Sequence, residues 1–454
     1  MFQKYLRMII YVNKMKDIQL INVSLPLLNT EKLYTIVIQN GMYTKVEPQT
    51  QKRNGNFSVF KDIWSSKEDY QPIIDMGGRI LLPSFIDIHT HLDKAFSLET
   101  VPNKSGTLIE AIRNYSEKAA SFSKNEIKRR VMKGALQALS HGTTHIRTHV
   151  NFEWNVSNEL ALSHLQAVLE ARDLLKPYVT IQVVPMFSDL SVKSEREKDV
   201  LREAISYGID GIGGAPHLSP NATKDIDQLF ELAAKYDKFV DLHVDEQDNP
   251  EICTIERIID NTKKWDFQGR VTAGHLCSLS AMTEEKSDRI IEEMALQHIY
   301  AVTLPGANMY LQGRGDKGIV RRGITRVREM LQKKVGLATA SDNVSDPFHP
   351  FGRFDLLQIG LLTAYTAHLA SEEELIAVLN MITQTPAAIF GKKAHGMKEG
   401  GVAEFVLFDA TNIYDLFANL SPARYVYKDG DWISSSQFEH RFGEGSLSRL
   451  VEIG

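Results

Sequence analysis

Hydrophobic and polar positions follow three regimes along the chain. In the first, apolar residues come in short runs: 18–23 and 33–39 are rich in Ile, Val and Leu, and Asn40-Gly41 separates the second run from 42–46. β-Branched residues suit a pleated strand, and Asn-Gly supplies the positive φ of a tight hairpin, so these runs predict strands with a turn at 40–41. A polar stretch, 49–58, predicts a loop. In the last regime EFVLF (404–408) and 424–427 lead to the turn Asp429-Gly430 and then to Trp432-Ile433. Short strands at both ends predict that the termini meet in one small β-domain.

The middle regime alternates. Eight runs, at 80–88, 144–150, 179–186, 208–216, 239–244, 270–273, 299–303 and 335–340, read as strands. Stretches of helical period fall between most of them, at 109–122, 124–140, 198–207 and 225–236. Eight strand–helix alternations in about 320 residues fit a (β/α)8 barrel. A doubly wound open sheet is the alternative on pattern alone, and the lack of a Gly-rich phosphate loop after the first strand weakens it. The expected fold is α/β: a TIM-type barrel over 79–396 beside a small β-sandwich built from 1–78 and 397–454.

Composition narrows the partners more than the fold. A formal charge of −5 and a pI near 6.3, with both signs interspersed, give no basis for nucleic acid or an anionic membrane as partner. Cys253 and Cys277 are too few for a disulfide framework and too far apart for a CxxC site, so a reducing, cytoplasmic compartment is expected. The apolar run 6–12 is too short to cross a bilayer, and no small-residue cleavage site follows it. It reads as a terminal strand, or as an extension upstream of an alternative start at Met15. The expected partners are a small molecule and further copies of the chain in a homo-oligomer.

Active sites of such barrels lie at the C-terminal ends of the strands. Chemically capable residues should therefore cluster there. The first strand runs into His89-Thr90-His91-Leu92-Asp93-Lys94, and alternation puts His89 and His91 on one face. The fifth ends His243-Val244-Asp245-Glu246, the sixth runs into His275, and the eighth into Asp342. Each alone has a bland reading as a satisfied polar residue or a helix cap. Together, four histidines and two carboxylates at four strand ends point to a metal site. Three imidazoles and a carboxylate with room for water would lower the pKa of that water toward neutrality. Glu246 is the candidate to shuttle its proton to a leaving nitrogen, and His275 and Asp342 can orient the attacking oxygen.

At these residues the chain resembles the amidohydrolase superfamily, and most closely the cytosine deaminase branch with its triazine aminohydrolases. The resemblance spans nearly the whole chain and rests on LPSFIDIHTHLDK (82–94), SGTL (105–108), HIRTHV (145–150), DLHVDE (241–246), VTAGH (271–275), LQGR (311–314), RRGITRVREML (321–331) and SDNVSDPF (341–348). It implies His89, His91, His243 and Asp342 as ligands of one divalent ion, Zn2+ or Fe2+. It also implies Glu246 as acid/base and His275 as the group that positions or activates water. The carboxylated lysine of binuclear relatives has no counterpart in Gly214-Ala215-Pro216-His217-Leu218 at the end of the fourth strand, hence the single ion.

The chain departs from cytosine deaminase where substrate would be read. The branch's glutamine after the third strand falls at Ser188, the second aspartate of its strand-eight pair at Asn343, and a nearby tryptophan at Phe348. Lys94 stands where a small hydroxyl residue would, and both Lys94 and Asn343 resemble the triazine enzymes. An amide donates as well as accepts, so the ring tautomers that fit would change. The expected activity is hydrolytic deamination of a small N-heterocycle, a cytosine-like pyrimidine or an aminotriazine. Cleavage of an N-alkylamino group or a cyclic amide is the alternative on the same machinery, and a non-catalytic binding protein the third reading. His149 and His217 can face the pocket or pack at its rim. Phe152 and Trp154 can stack on a ring or pack. Cys277 reads as a buried thiol, and Arg314, Arg321 and Arg322 as loop salt bridges or partners of an anionic group.

Overall fold

The computed structural model describes residues 17–50, 73–392, 395–421, 423–436 and 438. The run 6–12, Met15 and most of the expected loop 49–58 lie outside these residues. At the start of the described chain β1 (Asp17–Leu25), β2 (Asn29–Gln39) and β3 (Met42–Pro48) form an antiparallel meander, and β4 (Ile73–Asp75) joins β1 in parallel. The β2–β3 turn is the expected Asn40-Gly41, with φ of 51° and 76°. Two successive positive φ values match the right-handed twist of the flanking strands.

The run 80–88, expected as one barrel strand, is two strands in two sheets. β5 (Leu81–Pro83) belongs to the sandwich, whereas β6 (Phe85–Thr90) opens the barrel. All of these positions are buried, so no change of period marks the break. Proline at position 83 has no N–H for a continuing ladder. The Ser84 N–H turns to Glu404 O and that of Phe85 to Gly142 O, which hands the chain from one sheet to the next.

Seven more strands complete the barrel: β7 (Thr143–Asn151), β8 (Thr180–Met186), β9 (Gly211–Gly214), β10 (Phe239–Val244), β11 (Val271–His275), β12 (Tyr300–Thr303) and β13 (Leu337–Thr339). They stand in chain order, each parallel to its neighbour, with helices in the connections. The seam between β13 and β6 closes at the rim, where the Asp342 N–H donates to His89 O at 2.9 Å and Thr90 Oγ1 donates to Asp342 O at 2.7 Å. The chain ends its described part with β14 (Phe405–Phe408), β15 (Arg424–Lys428) and β16 (Asp431–Ser436), which pair antiparallel beside β5. Ile18, Leu20 and Ile36 from the first sheet meet Phe405, Tyr427 and Trp432 from the second in one core. That makes the small unit a two-layer sandwich drawn from both ends of the chain.

The sandwich is fastened to the barrel by Phe85 against Phe408 and by Arg424. The guanidinium of Arg424 holds Asp355 through two bonds of 2.8 and 2.9 Å. The barrel interior carries charge rather than hydrocarbon alone. Alternation along β7 turns Arg147 and His149 inward, and Arg147 reaches across the interior to Asp241 of β10 at 2.7 Å. That buried ion pair lies directly below the strand ends where the site forms.

Candidate functional site

His89, His91, His243 and Asp342 converge at the C-terminal rim, all buried. His243 Nε2 lies 3.2 Å from His89 Nε2 and 3.1 Å from His91 Nε2. Asp342 Oδ1 is 3.3 Å from His91 Nε2 and 3.8 Å from His89 Nε2. Four donors bound at about 2.0–2.2 Å around one tetrahedral ion would stand ~3.3 Å apart. The set has that spacing. Burial pushes the His89 imidazole down to about 3 and lowers those of His91 and His243, so the rings are in the neutral, ligating form. The Nδ1–H of His91 donates to His149 O at 3.1 Å, which leaves its Nε2 lone pair for the cluster. Among the described residues neither carboxylate oxygen of Asp342 has a hydrogen-bond partner. Buried acceptors without partners are rare, and a cation between them would account for these. The residues therefore fit a single metal ion.

Local backbone supports this convergence. Asp245, His275, Leu276 and Asp342, all at strand ends, adopt positive φ, which non-glycine residues take only where the surroundings impose it. Gly274 of β11 packs against the His89 ring, and a Cβ there would meet His89 Cε1 at 3.0 Å. Asp245 does not enter the site. Its carboxylate accepts from the Thr254 hydroxyl at 2.6 Å and from the Thr254 N–H at 2.8 Å, fixing the turn that carries Glu246.

Glu246 and His275 flank the cluster, with Glu246 Oε1 3.7 Å from His275 Nδ1. Burial, reinforced by the Asp342 charge, raises the Glu246 carboxyl well above the usual range, and Lys94 opposes the shift. His91, His243, Glu246 and His275 line a cavity of about 460 Å³, and so do Lys94, Ser188, Asn343 and Phe348. The ammonium of Lys94 sits over the Phe348 ring at 4.2 Å. All four residues expected to read substrate thus share one space with the metal-capable cluster.

Three further residues hold the side chains of this site, two of them inside LQGR and SDNVSDPF. Asn308, on the short helix Pro305–Leu311, has its Nδ2 2.9 Å from His275 Nδ1. Gln312, the second residue of LQGR, donates to Glu246 O at 2.9 Å. Asp346 accepts from Asn343 Nδ2 at 2.7 Å and from the Phe348 and His349 N–H groups at 2.9 and 3.0 Å. Asn343 is therefore oriented, with one amide hydrogen already engaged.

The other expected positions separate clearly. His149 lies inside the barrel, its ring 4.0 Å from that of His89, with Nε2 3.4 Å from Asp241 Oδ1. His89, His149 and Asp241 form a second group with metal-ligand spacing. Here Arg147 already compensates the carboxylate through Oδ2, whereas Asp241 Oδ1 and both ring nitrogens of His149 have no hydrogen-bond partner among the described residues. His217 donates its Nδ1–H to His243 O at 3.1 Å. Phe152 lines the cavity, while Trp154 packs near it as a buried ring 6.3 Å away. Cys277 is buried and outside both metal-capable groups. Arg321 is tied to Asp316, Arg314 to Tyr310 O and Arg322 to Met309 O, so these guanidiniums are loop partners. No helix among the described residues is long and apolar enough to cross a membrane.

The family model described as "Amidohydrolase family" matches residues 80–433. A pterin deaminase of Rhizobium rhizogenes (strain K84) is 32% identical over 379 residues, covering 81% of this chain and 83% of the relative. The N-isopropylammelide isopropyl amidohydrolase of Pseudomonas sp. (strain ADP) is 27% identical over 348 residues, covering 74% and 81%. A solved structure of 5-methylcytosine deaminase from Klebsiella pneumoniae, liganded with phosphonocytosine, superposes with a TM-score of 0.84 at 25% identity, covering 94% of this chain and 100% of that one.

Proposed function

The chain belongs to the amidohydrolase family and is a hydrolase of C–N bonds, and from that premise we propose that it hydrolytically removes an amino group from a small N-heterocycle. The reading takes His89, His91, His243 and Asp342 as the ligands of one zinc or iron ion. The observation that carries it is the meeting of this cluster with Glu246 and His275 on the wall of one largely apolar cavity. Two relatives whose names give deaminase activity on heterocycles support the choice of bond.

An ion at the cluster would polarise the scissile carbon's environment and lower the pKa of a water toward neutrality. The chain's own groups supply the rest. Glu246, whose burial favours the protonated carboxyl, can protonate a ring nitrogen and afterwards the departing amine, collecting the proton from water between these steps. With the Asn308 amide donating to Nδ1 of His275, the remaining proton of that imidazole sits on Nε2, which can then hold an oxygen by donation. Lys94 faces the same space as a cation and suits a carbonyl oxygen of the ring, and Asn343 offers its own carbonyl to a ring N–H. Phe348 forms an aromatic wall behind Lys94. Ser188 lines the same cavity with a small side chain. An active site that excludes bulk water strengthens each of these contacts.

A second reading keeps the residues and changes the leaving group to an alkylamine. The relative named for isopropyl removal favours it, as do the apolar side chains of Leu108, Ile109 and Val156 on the cavity wall. Metal-loaded protein incubated with cytosine, aminotriazines, pterin and N-isopropylammelide, with ammonia and alkylamine measured separately, decides between them. Ammonia release supports the first reading and isopropylamine the second. Turnover of no member of the panel overturns both.

A further inference from the structure

The cavity runs from buried chemistry to an apolar opening. Part of its wall is His91, His243, Glu246 and His275, all buried. The same cavity is lined by Ile109, Val156 and Leu218, which are 68%, 47% and 44% exposed. Exposed side chains mark where a cavity meets solvent, so these three aliphatic residues frame its mouth. The volume of about 460 Å³ falls within the roughly 300–1,000 Å³ of sites that enclose ligands of drug size. The space therefore suits a ligand larger than one six-membered ring.

Three separate segments bring these side chains to the opening. Ile109 stands in the first turn of the helix Leu108–Ala119, and Ile112, one turn later on the same face, also lines the cavity. Val156 lies in the turn that follows β7, and Leu218 ends the short helical turn Pro216–Leu218 after β9. A single exposed aliphatic residue needs no explanation. Three of them, from three strand-end connections on one cavity, form the kind of patch that marks a ligand groove. The acidic groups of the wall outside the reacting end are engaged by the protein. Glu153 accepts from Ser116 Oγ at 3.0 Å, Asp189 from Asn155 Nδ2 at 2.9 Å and Asp225 from the Ser191 N–H at 2.7 Å. Hydrocarbon is then the main surface that the mouth offers to an incoming group.

We propose that Ile109, Val156 and Leu218 form a subsite for an apolar substituent of the substrate. The substrate is then an amino-N-heterocycle that carries an alkyl or aryl group on the ring edge remote from the leaving amine, and that group stays on the product. This rests on the deamination reading and narrows its substrate class. It differs from the alkylamine reading in where the hydrocarbon sits: a leaving alkylamine has its nitrogen at the buried cluster, whereas the subsite lies at the solvent end.

The test uses metal-loaded wild type and the double variant Val156→Ser, Leu218→Ser. The ligands are cytosine and pterin, each bare or with methyl, propyl or pentyl on the far edge, at ring nitrogen 1 of cytosine and carbon 6 of pterin. Cytosines alkylated on the exocyclic nitrogen serve as the comparison. Ammonia release gives kcat/KM, and equilibrium dialysis gives Kd for any ligand that is not hydrolysed. Each added methylene should improve kcat/KM or Kd by about two- to fourfold in wild type, the upper figure corresponding to full burial. The gain should lie in KM with kcat steady, as for binding made equally in ground and transition states. The double variant should flatten the slope. A flat far-edge series in wild type, an undiminished slope in the variant, or a gain confined to the exocyclic series overturns the proposal. If the variant does not fold, the wild-type comparison of the two alkyl positions decides. Ammonia released at rates blind to the substituent ends the subsite and leaves the reaction standing. No ammonia, with Kd still falling as the chain lengthens, ends the reaction and leaves the subsite; neither turnover nor binding ends both.

Discussion

Replacing Glu246 by glutamine separates chemistry from architecture. The amide matches the carboxyl in shape but cannot carry a proton to and from the reacting atoms. A positioned acid/base contributes typically 10²–10⁴-fold in rate, which is about 2.7–5.4 kcal/mol of barrier at 1.36 kcal/mol per factor of ten. Stability should move the other way. Burial raises the folded-state pKa of Glu246, so the folded chain holds this proton more tightly than the unfolded one. A carboxyl shifted upward costs nothing below its unfolded pKa and costs stability above it, increasingly until pH passes the folded pKa. The neutral amide removes that cost. Glu246→Gln in chelator-treated protein should therefore melt above wild type at pH 7–8 and at the same temperature near pH 4. Steady-state ammonia release by metal-loaded protein gives the rate, with metal content confirmed equal. A variant that keeps more than a tenth of kcat, or that melts below wild type at neutral pH, refutes the reasoning.

Two other changes probe the supporting shell. Arg147→Met strands the Asp241 carboxylate in the barrel interior, and urea unfolding should show a loss of about 3–5 kcal/mol, the usual result of breaking a buried pair from one side. Adding Asp241→Asn should recover at least half of it; no recovery would mean that the guanidinium's other bonds matter more than the charge. Asp346, raised to about 7 by burial, anchors Asn343 and the 348–349 backbone as a carboxylate. That anchor is complete above about pH 7 and fades as pH falls through it, so KM should rise on the acid side in wild type and show no such limb in Asp346→Asn. A matching limb in the variant would assign the ionisation elsewhere.

The parts of the site visible in the sequence are those fixed by strand period and strand end. His89 and His91 alternate on one strand, and His243, His275 and Asp342 follow the same rule at other strand ends, so a barrel hypothesis brings them together before any coordinates. The split at Pro83 was not legible, because one uninterrupted apolar run serves a sandwich on one side and a barrel on the other. The ion pair below the metal-capable cluster had a signal that could have been used: in HIRTHV the same alternation that turns His149 inward turns Arg147 inward too. Asn308 had none: it sits on a short helix outside every quoted motif, and its partner is set by tertiary packing rather than by spacing along the chain. Asp346 and Gln312 lie inside SDNVSDPF and LQGR, but nothing in those motifs says which neighbour each would hold.

The central claim, C–N hydrolysis dependent on one metal at His89, His91, His243 and Asp342, is tested most directly by measuring ammonia release and metal content together. Freshly purified wild type and Asp342→Ala would be compared over the heterocycle panel. The account predicts about one equivalent of zinc or iron and ammonia release in wild type, with both lost in parallel in the variant. Undiminished ammonia release by metal-depleted Asp342→Ala, or no release by wild type carrying its full equivalent, would contradict it.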